Sequence, residues 1–293
     1  MRCKMPKSGF IAVLGRTNAG KSSLINYLLN TKIAMVSHKQ NATRRLLKAI
    51  VMDGDNQLIF TDTPGLNNSQ KAMNKILNER ALLASQGSDA ILFCASVFDD
   101  TSVYEKFLEM NSTLSHVVAI TKIDLAKKEQ LFAKLREYAK YSEHFNAIVP
   151  VSTKKAVFKR ELLSEISKIL PKAPHYYDSE NLSDAMAKDI YREFILEAIF
   201  ECVSEELPYS AEVRVKNVSE GNMLRIEALI ITDNASHKGI FISALKNIGI
   251  RARKLISALS GQKVYLGLEV VVEKNWLKDE KKLIKFIDQP LTK

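Results

Sequence analysis

Short apolar runs alternate with stretches of helical spacing over residues 10–170. The apolar runs are Phe10–Leu14, Leu58–Phe60, Ala90–Ala95, Val117–Ile120 and Ala147–Val151. This alternation is typical of an α/β domain with a mainly parallel sheet. Lys48–Met52 and Gln57–Thr61 flank Asp-Gly-Asp-Asn at positions 53–56, which favours a hairpin turn. The pattern predicts a mostly parallel sheet in which one strand runs antiparallel.

The α/β pattern stops at Pro171, Pro174 and the polar stretch Asp178–Asp184. We therefore predict a first domain over residues 1–171, a linker over 172–183 and a smaller α+β domain over 184–293. The apolar spacing in the second domain predicts, in order, a long helix, two strands, two helices, a strand and a final helix. These elements are Asp184–Leu207, Ala211–Val218, Leu224–Thr232, Ile240–Lys246, Ile250–Leu259, Lys263–Val272 and Asp279–Ile287.

Composition narrows the class of protein. The 293 residues are 46% hydrophobic, enough for a core in each of two domains. No apolar run approaches the roughly 20 residues that a membrane-spanning helix needs, and the N-terminus lacks the pattern of a signal peptide. The three cysteines are far apart, which argues against disulfides and zinc. The sequence predicts a cytoplasmic protein.

The net charge and its distribution along the chain indicate which kind of partner the protein binds. The net charge of +10 favours a polyanionic partner, although a basic surface can also serve only solubility. Residues 172–233 carry 6 basic and 13 acidic side chains, whereas residues 234–293 carry 12 and 5. The last part of the second domain is therefore basic.

A phosphate-binding motif follows the first apolar run. It has the form G-x-x-x-x-G-K-S, precedes the helical run Ser23–Leu29, and consists of Gly15, Arg16, Thr17, Asn18, Ala19, Gly20, Lys21 and Ser22. Glycines let backbone N–H groups turn toward phosphates, Lys21 can reach the β and γ groups, and Ser22 can ligate Mg²⁺. The alternative is a tight turn between strand and helix. In this context we favour the phosphate site.

Three weaker motifs follow other strands. Asp62, Thr63, Pro64 and Gly65 form D-x-x-G, in which a carboxylate can hold Mg²⁺ through water and the glycine amide can meet the γ-phosphate. The next motif is Thr121, Lys122, Ile123 and Asp124, whose carboxylate can accept both N–H donors of guanine's edge. The last, Ser152, Thr153 and Lys154, could add backbone contacts to the guanine oxygen. Each alone is also compatible with an ordinary turn or N-cap.

In this order, the four motifs resemble the nucleotide-binding boxes of translation-factor-type GTPases. The stretch Ser37–Arg44 then resembles switch I, with Thr43 closing on Mg²⁺ when GTP is bound. A flexible basic loop is the alternative. The resemblance implies a GTPase that binds GTP and GDP, whose Mg²⁺ is held by Ser22, Thr43 and, through water, Asp62. Lys21, Asn18, Thr43 and Gly65 would be its catalytic residues.

The C-terminal part resembles the KH domain of Era-family GTPases, so that the resemblance covers nearly the whole chain. Three segments carry it: Glu206–Ser210, Ser236–Gly239 and Ile248–Lys254. The resemblance implies a protein that recognises the 3′ end of small-subunit ribosomal RNA during subunit maturation and associates peripherally with the inner membrane. The basic residues that would meet RNA are Lys238, Lys246, Arg251, Arg253 and Lys254.

The chain departs from this pattern in ways that bear on function. Thr121 replaces an asparagine, which leaves one bridging hydroxyl and predicts a loss of about 1 kcal/mol in nucleotide affinity. Thr153 replaces an alanine, and we read no function into it. Leu66 stands where many GTPases have a glutamine that orients water. Asn18 then becomes a candidate for holding K⁺ against the phosphates, and a loop-stabilising hydrogen bond is the alternative.

The departure with the largest consequence is in the KH domain. KH domains clamp the nucleic-acid backbone with a Gly-x-x-Gly loop, and no such basic loop fits between Ser236 and Gly249. RNA binding by this domain is therefore an open question. Two other functions are compatible with the sequence: a nucleotide-gated scaffold with incidental turnover, and a GTPase whose C-terminal domain contacts protein or membrane.

Overall fold

The computed structural model describes residues 5–39, 42–66, 72–110, 114–204 and 206–288. The chain divides into two compact units. The first falls within residues 1–30, 43–69 and 77–184, and the second within 31–42, 70–76 and 185–293. Residues 31–42 thus belong to the second unit although they lie early in the chain. The boundaries proposed from sequence, with a linker at 172–183, stay a prediction.

The first unit contains a six-stranded sheet in the order β2-β3-β1-β4-β5-β6. Its strands are β1 Ser8–Gly15, β2 Leu47–Asp53, β3 Asn56–Asp62, β4 Ala90–Ser96, β5 His116–Thr121 and β6 Ala147–Pro150. Only β2 runs antiparallel to its neighbour, and Asp53 pairs with Asn56 across the predicted turn. The mostly parallel sheet with one hairpin is confirmed.

Helices alternate with these strands, as the pattern predicts. They are α1 Lys21–Leu29, α2 Ala72–Gln86, α3 Ser102–Met110, α4 Lys128–Ala139 and α5 Lys159–Ile169. The central strands β1 and β4 are almost entirely buried, which explains their unbroken apolar runs. All the motif residues follow the carboxyl ends of parallel strands. These ends meet at one edge of the sheet, next to the point where the strand order reverses.

The segment predicted as a linker packs along the β2–β3 hairpin. Gln57 is buried, and its amide oxygen accepts the N–H groups of Tyr176 and Tyr177 while its nitrogen donates to the Tyr177 carbonyl. The Ile50 N–H donates to the Leu182 carbonyl at 2.9 Å. This segment lacks regular structure, but its backbone is held by specific hydrogen bonds.

The second unit is an α+β domain with a three-stranded sheet in the order β7-β8-β9. Its elements are α6 Ala187–Cys202, β7 Ala211–Ser219, β8 Leu224–Thr232, α7 Ala235–Ser260, β9 Val264–Val272 and α8 Glu280–Asp288. Strand β8 is antiparallel to β7 and parallel to β9. Every residue of α6 from Ile190 to Phe200 is buried. The predicted long helix is therefore real but shorter at both ends.

The prediction of two helices at Ile240–Lys246 and Ile250–Leu259 is wrong, because the chain forms one helix, α7, of 26 residues. Its buried residues Phe241, Ile248, Ala252 and Ile256 lie on one continuous stripe across the expected break. Asn234 caps its start by accepting the His237 N–H at 2.9 Å, and Gly261 ends it with φ 69°. Gly249 inside the helix costs about 1 kcal/mol relative to alanine, which this packing outweighs.

No helix in the described part of the chain combines the length and the apolar character that crossing a membrane requires.

The continuity of α7 predicts that alanine has opposite effects on stability at Gly239 and Gly261. A methyl group at Gly239 would meet nothing within 4 Å, so Gly239→Ala should raise the free energy of unfolding by about 0.8 kcal/mol through helix propensity. Gly261→Ala is the matched control. It should lower stability by about 1 kcal/mol, because residue 261 has φ 69°. Urea unfolding of both full-length variants measures this, and destabilisation by Gly239→Ala would contradict a helix that runs through residue 239.

Candidate nucleotide-binding site

The phosphate loop lies between β1 and α1, where two positions require glycine. Gly15 has φ 141°, and a Cβ there would lie 2.1 Å from the Cys94 carbonyl oxygen. Gly20 has φ 95° and immediately precedes the first residue of α1. Asn18 also adopts a left-handed conformation, with φ 64°. The loop is therefore pressed against β4, and α1 begins where the predicted phosphate ligand would lie.

Lys21 is the cation of this loop, and it is buried. Its Nζ donates to the carbonyl oxygens of Gly15 at 3.1 Å and Arg16 at 3.0 Å. Burial lowers the pKa of the Lys21 ammonium, and nearby Asp62 opposes that shift. Arg16, by contrast, is exposed and lies about 4 Å from Asp99 and Asp100. The ammonium is thus positioned under the loop, close to where phosphate oxygens would bind.

Three oxygen-bearing side chains converge beside Lys21. Ser22 lies in α1, Asp62 ends β3, and Thr43 lies shortly before β2. Ser22 Oγ donates to Asp62 Oδ2 at 2.7 Å, and Thr43 Oγ1 lies 3.1 Å from Ser22 Oγ. Since Ser22 gives its proton to Asp62, Thr43 is the donor in the second contact. Ser23 follows in the first turn of α1.

These oxygens suit Mg²⁺. Oxygen ligands of Mg²⁺ lie at about 2.1 Å, so neighbouring ligands of an octahedral ion are about 3 Å apart. The separation of Ser22 and Thr43 matches that spacing. The three residues named from sequence as Mg²⁺ partners are therefore brought together. Gln40 and Asn41, in the predicted switch I stretch, lie outside the described residues.

The D-x-x-G segment packs against the phosphate loop. A Cβ at Gly65 would lie 2.5 Å from Thr17 Cα, so only glycine fits there. The Leu66 N–H donates to the Gly15 carbonyl at 3.0 Å, and the Leu66 side chain packs against an apolar core cluster. Thr63 and Pro64 are buried, and the Thr63 hydroxyl donates to the Val13 carbonyl at 2.6 Å. Thr63 thus ties the segment to β1.

Thr121 and Asp124 lie at the guanine end of the predicted site. Thr121 Oγ1 donates to the Ala19 carbonyl at 2.5 Å, so the hydroxyl still bridges to the phosphate loop. Ser152 Oγ donates to Asp124 Oδ1 at 2.6 Å and accepts the Lys155 N–H at 3.0 Å. Lys122 has φ 58°. The two motifs therefore form one unit in which Ser152 orients the Asp124 carboxylate.

Thr153 and Lys154 follow Ser152 in the same turn, and Lys154 is exposed.

The five basic residues predicted to meet RNA all lie on α7, but they differ in exposure. Lys246 and Lys254 are exposed, while Lys238 and Arg253 are half-buried. The Arg251 guanidinium forms a two-pronged ion pair with Glu201. Residues 239–242, which align with the Gly-x-x-Gly position of KH domains when no gap is introduced but are apolar, are also helical. Between Ala235 and Ser260, all of which the structure describes, there is no loop.

Two sets of acidic residues with specific contacts were missed from sequence, and only the first lies near the site. Asp99 and Asp100 follow β4, so the rule that strand carboxyl ends share an edge could have found them. Glu197 is an acidic residue inside the apolar helix α6, and it contacts residues 31–42. A carboxylate in the middle of a helix buried on all sides was the available signal.

The arrangement predicts guanine selectivity through Asp124. Asp124→Asn should transfer the binding preference from guanosine to xanthosine nucleotides, because the amide NH₂ repels guanine's donors and can pair with the xanthine oxygen. Ser152→Ala, the matched variant, should weaken guanine binding about fivefold without changing selectivity. Competition titrations with the di- and triphosphates of guanosine and xanthosine measure the selectivity of both variants. Unchanged guanine selectivity in Asp124→Asn would show that Asp124 does not recognise the base.

Comparison with known proteins agrees with this geometry. The family described as 50S ribosome-binding GTPase matches residues 10–140, and the family described as KH domain matches residues 206–277. A relative named GTPase Era from Campylobacter jejuni subsp. doylei is 53% identical over 287 residues, which cover 96% of this chain and 99% of the relative. GTPase Era from Campylobacter fetus subsp. fetus is 52% identical over 279 residues, covering 94% and 96%.

Two solved structures resemble the whole chain. One is a variant of Aquifex aeolicus Era bound to GDP and AlF₄⁻, and the other is Era in complex with MgGDPNP and nucleotides 1506–1542 of 16S ribosomal RNA. Each has a TM-score of 0.89 and 29% sequence identity, and each match covers 96% of this chain and 98% of the other. The chain belongs to the Era family of GTPases.

Proposed function

We propose that this protein binds GTP with Mg²⁺, hydrolyses it to GDP and phosphate, and uses the cycle to control binding to the small ribosomal subunit. The observation that carries the proposal is the convergence of Ser22, Thr43 and Asp62 beside the buried ammonium of Lys21. A cation, a set of oxygen ligands and a glycine-rich loop are the parts that phosphoryl transfer needs. The oriented Asp124 supplies the choice of base.

In this mechanism the protein supplies mostly position and charge. Lys21 Nζ exchanges its carbonyl partners for β- and γ-phosphate oxygens, and the loop N–H groups surround the same oxygens. The Gly65 N–H and Thr43 close on the γ-phosphate side. Mg²⁺, when bound, would compensate part of the negative charge of the phosphate oxygens. Leu66 cannot orient the attacking water, because an apolar side chain has no hydrogen-bonding group. Intrinsic hydrolysis is therefore expected to be slow.

Because Leu66 cannot orient the attacking water, hydrolysis needs another source of stabilisation, such as additional positive charge. We propose that Asn18 holds K⁺ against the phosphates. In support, Asn18 lies in the phosphate loop with φ 64°, a conformation that asparagine tolerates better than most residues. Its side-chain carbonyl is a ligand that a monovalent cation accepts. The alternative is that this side chain only stabilises the loop.

GTP turnover should then be faster in K⁺ than in Na⁺ at equal ionic strength, by about tenfold if one charge contact of roughly 1.4 kcal/mol is involved. Asn18→Ala should remove the difference. Multiple-turnover assays with Lys21→Ala as the inactive background measure this. Equal rates in the two salts would reject the K⁺ proposal while leaving the GTPase proposal intact, whereas no turnover above Lys21→Ala in either salt would reject both.

We further propose that the second domain recognises the 3′ end of small-subunit ribosomal RNA. The complex of Era with a 16S ribosomal RNA fragment supports this, as does the KH match. The continuous α7 limits how it can do so. A helix interior offers no free backbone N–H groups to phosphates, so contacts from α7 must come from side chains such as Lys246 and Lys254.

A second candidate is that the C-terminal domain contacts a protein or the inner membrane instead of RNA. Ile240, Ile242 and Ile250 on α7 are 43%, 50% and 51% exposed, which favours an apolar contact. A nucleotide-gated scaffold with incidental turnover is the remaining alternative, and a lack of stimulation by small subunits in turnover assays would favour it. The cytoplasmic location stays a prediction.

RNA binding by the full-length protein should be salt-sensitive and weakly selective. With side-chain contacts replacing a backbone clamp, affinity should fall steeply with salt, by about tenfold for each doubling if four phosphates are contacted. Titrations would use labelled RNAs of equal length, one with the ribosomal 3′-end sequence and one scrambled, with Lys246→Ala/Lys254→Ala as the charge-reduced control. Tight binding to the ribosomal sequence alone at physiological salt would show that α7 does not weaken recognition.

A further inference from the structure

A single buried carboxylate in α6 holds the segment of residues 31–39. Glu197 is 1% exposed, and both of its oxygens are used. Oε1 accepts a hydrogen bond from Lys32 Nζ at 2.7 Å, and Oε2 accepts the backbone N–H of Val36 at 2.9 Å. The contacts therefore fix one side chain and one backbone position of the same segment, all within the second unit.

The surroundings of Glu197 favour these two hydrogen bonds, which together we call the anchor. Burial raises the pKa of the Glu197 carboxyl, while the charge and hydrogen bond of Lys32 and the Val36 N–H oppose the rise. Arg251 Nη2 lies 3.8 Å from Glu197 Oε1 and adds a second positive charge. A buried carboxylate without these donors would be strongly unfavourable, so the carboxylate and the segment stabilise each other.

A further contact binds the segment farther along. Lys39 Nζ donates to the carbonyl oxygen of Val203, the residue after α6, at 2.6 Å. Lys32, Val36 and Lys39 therefore all meet one helix and its end. Three residues separate Lys39 from Thr43, so the anchored part limits Thr43 to within about 14 Å of Lys39.

Thr43 is the residue for which this limit matters. Its Oγ1 lies 3.1 Å from Ser22 Oγ, in the set of oxygens that suits Mg²⁺. A ligand supplied by a loop must be ordered when the ion and the γ-phosphate are bound, and ordering a free loop costs conformational entropy. Fixing the loop beforehand lowers that cost.

We propose that Glu197 is a positioning residue for GTP hydrolysis, acting through Thr43 by anchoring residues 31–39 at Lys32 and Val36. The inference rests on the proposed GTPase function. It assigns to Glu197 an indirect part in preparing the nucleotide site, through the chain that leads from Val36 to Thr43. GDP binding should be insensitive to this anchor, because Thr43 is needed only when the γ-phosphate is present.

The test compares full-length Glu197→Ala with Glu201→Ala, its matched control one helical turn away, whose carboxylate pairs with Arg251. Glu197→Ala should lower kcat for GTP about tenfold and weaken Mg²⁺-dependent binding of the GTP analogue GppNHp by a similar factor, the loss expected from one charge-assisted hydrogen bond. GDP affinity should stay within about twofold, since no GDP contact is removed. Glu201→Ala should behave as wild type in all three measurements.

Hydrogen exchange supplies a readout that needs no nucleotide. The Val36 amide should exchange faster in Glu197→Ala than in wild type or Glu201→Ala, because its acceptor is gone. Glu197→Gln should restore part of both the protection and the GppNHp affinity, since an amide oxygen can still accept the Val36 N–H. Equal GppNHp-to-GDP affinity ratios in Glu197→Ala and Glu201→Ala would overturn the proposal.

Lys32→Met keeps the proposal testable if Glu197→Ala does not fold, because Lys32 is 35% exposed in the side chain and lies on the segment. It should lower GppNHp affinity about threefold without affecting GDP, and unchanged affinity for both would overturn the inference. A wild-type protein that hydrolyses no GTP would reject the proposed function. The GppNHp-to-GDP ratio and the Val36 exchange rate would still decide whether Glu197 positions Thr43.

Discussion

The nucleotide site depends on a buried ammonium group. Lys21 is the first residue of α1, two backbone carbonyls are its oxygen partners, and burial lowers its pKa. A cation in such surroundings is poorly compensated, so a polyanion that replaces the carbonyls gains more than it would in water. The close approach of Gly15 to the Cys94 carbonyl sets the path of the loop that makes this possible. The strand order then brings Asp62, Thr121 and Asp124 to the same edge.

Sequence reasoning worked where local chemistry and strand topology decide the structure. The turn at Gly54 and the apolar runs of β1 and β4 follow from residue type alone, so the sheet could be predicted. Motif residues at strand ends meet because parallel strands share an edge, so the convergence of Ser22 and Asp62 could be predicted too. These features need no knowledge of distant packing.

The failures have a different physical origin. The two-helix prediction for 240–259 came from the spacing of apolar residues, which does not show whether two short helical stretches join, whereas the stripe of Phe241, Ile248 and Ala252 packs as one continuous surface. The contact of Glu197 with Val36 joins positions 161 residues apart, and no local pattern carries such information. The absence of a Gly-x-x-Gly loop, by contrast, could be predicted from the sequence, and residues 235–260 contain no loop. In α7 the interior backbone N–H groups are used within the helix, so no backbone clamp for phosphates is present between residues 235 and 260.

Residues 172–184, which belong to the first unit, also protect its sheet. Strand β2 is an edge strand, and unpaired edge groups are templates for pairing with another chain. Here Leu182 accepts the Ile50 N–H, and the Ser183 hydroxyl donates to the Lys48 carbonyl, so part of that edge is covered. At the opposite edge β6 ends in Pro150, which has no N–H to donate. This covering segment thereby guards against self-association, and loosening it would expose an aggregation-prone strand.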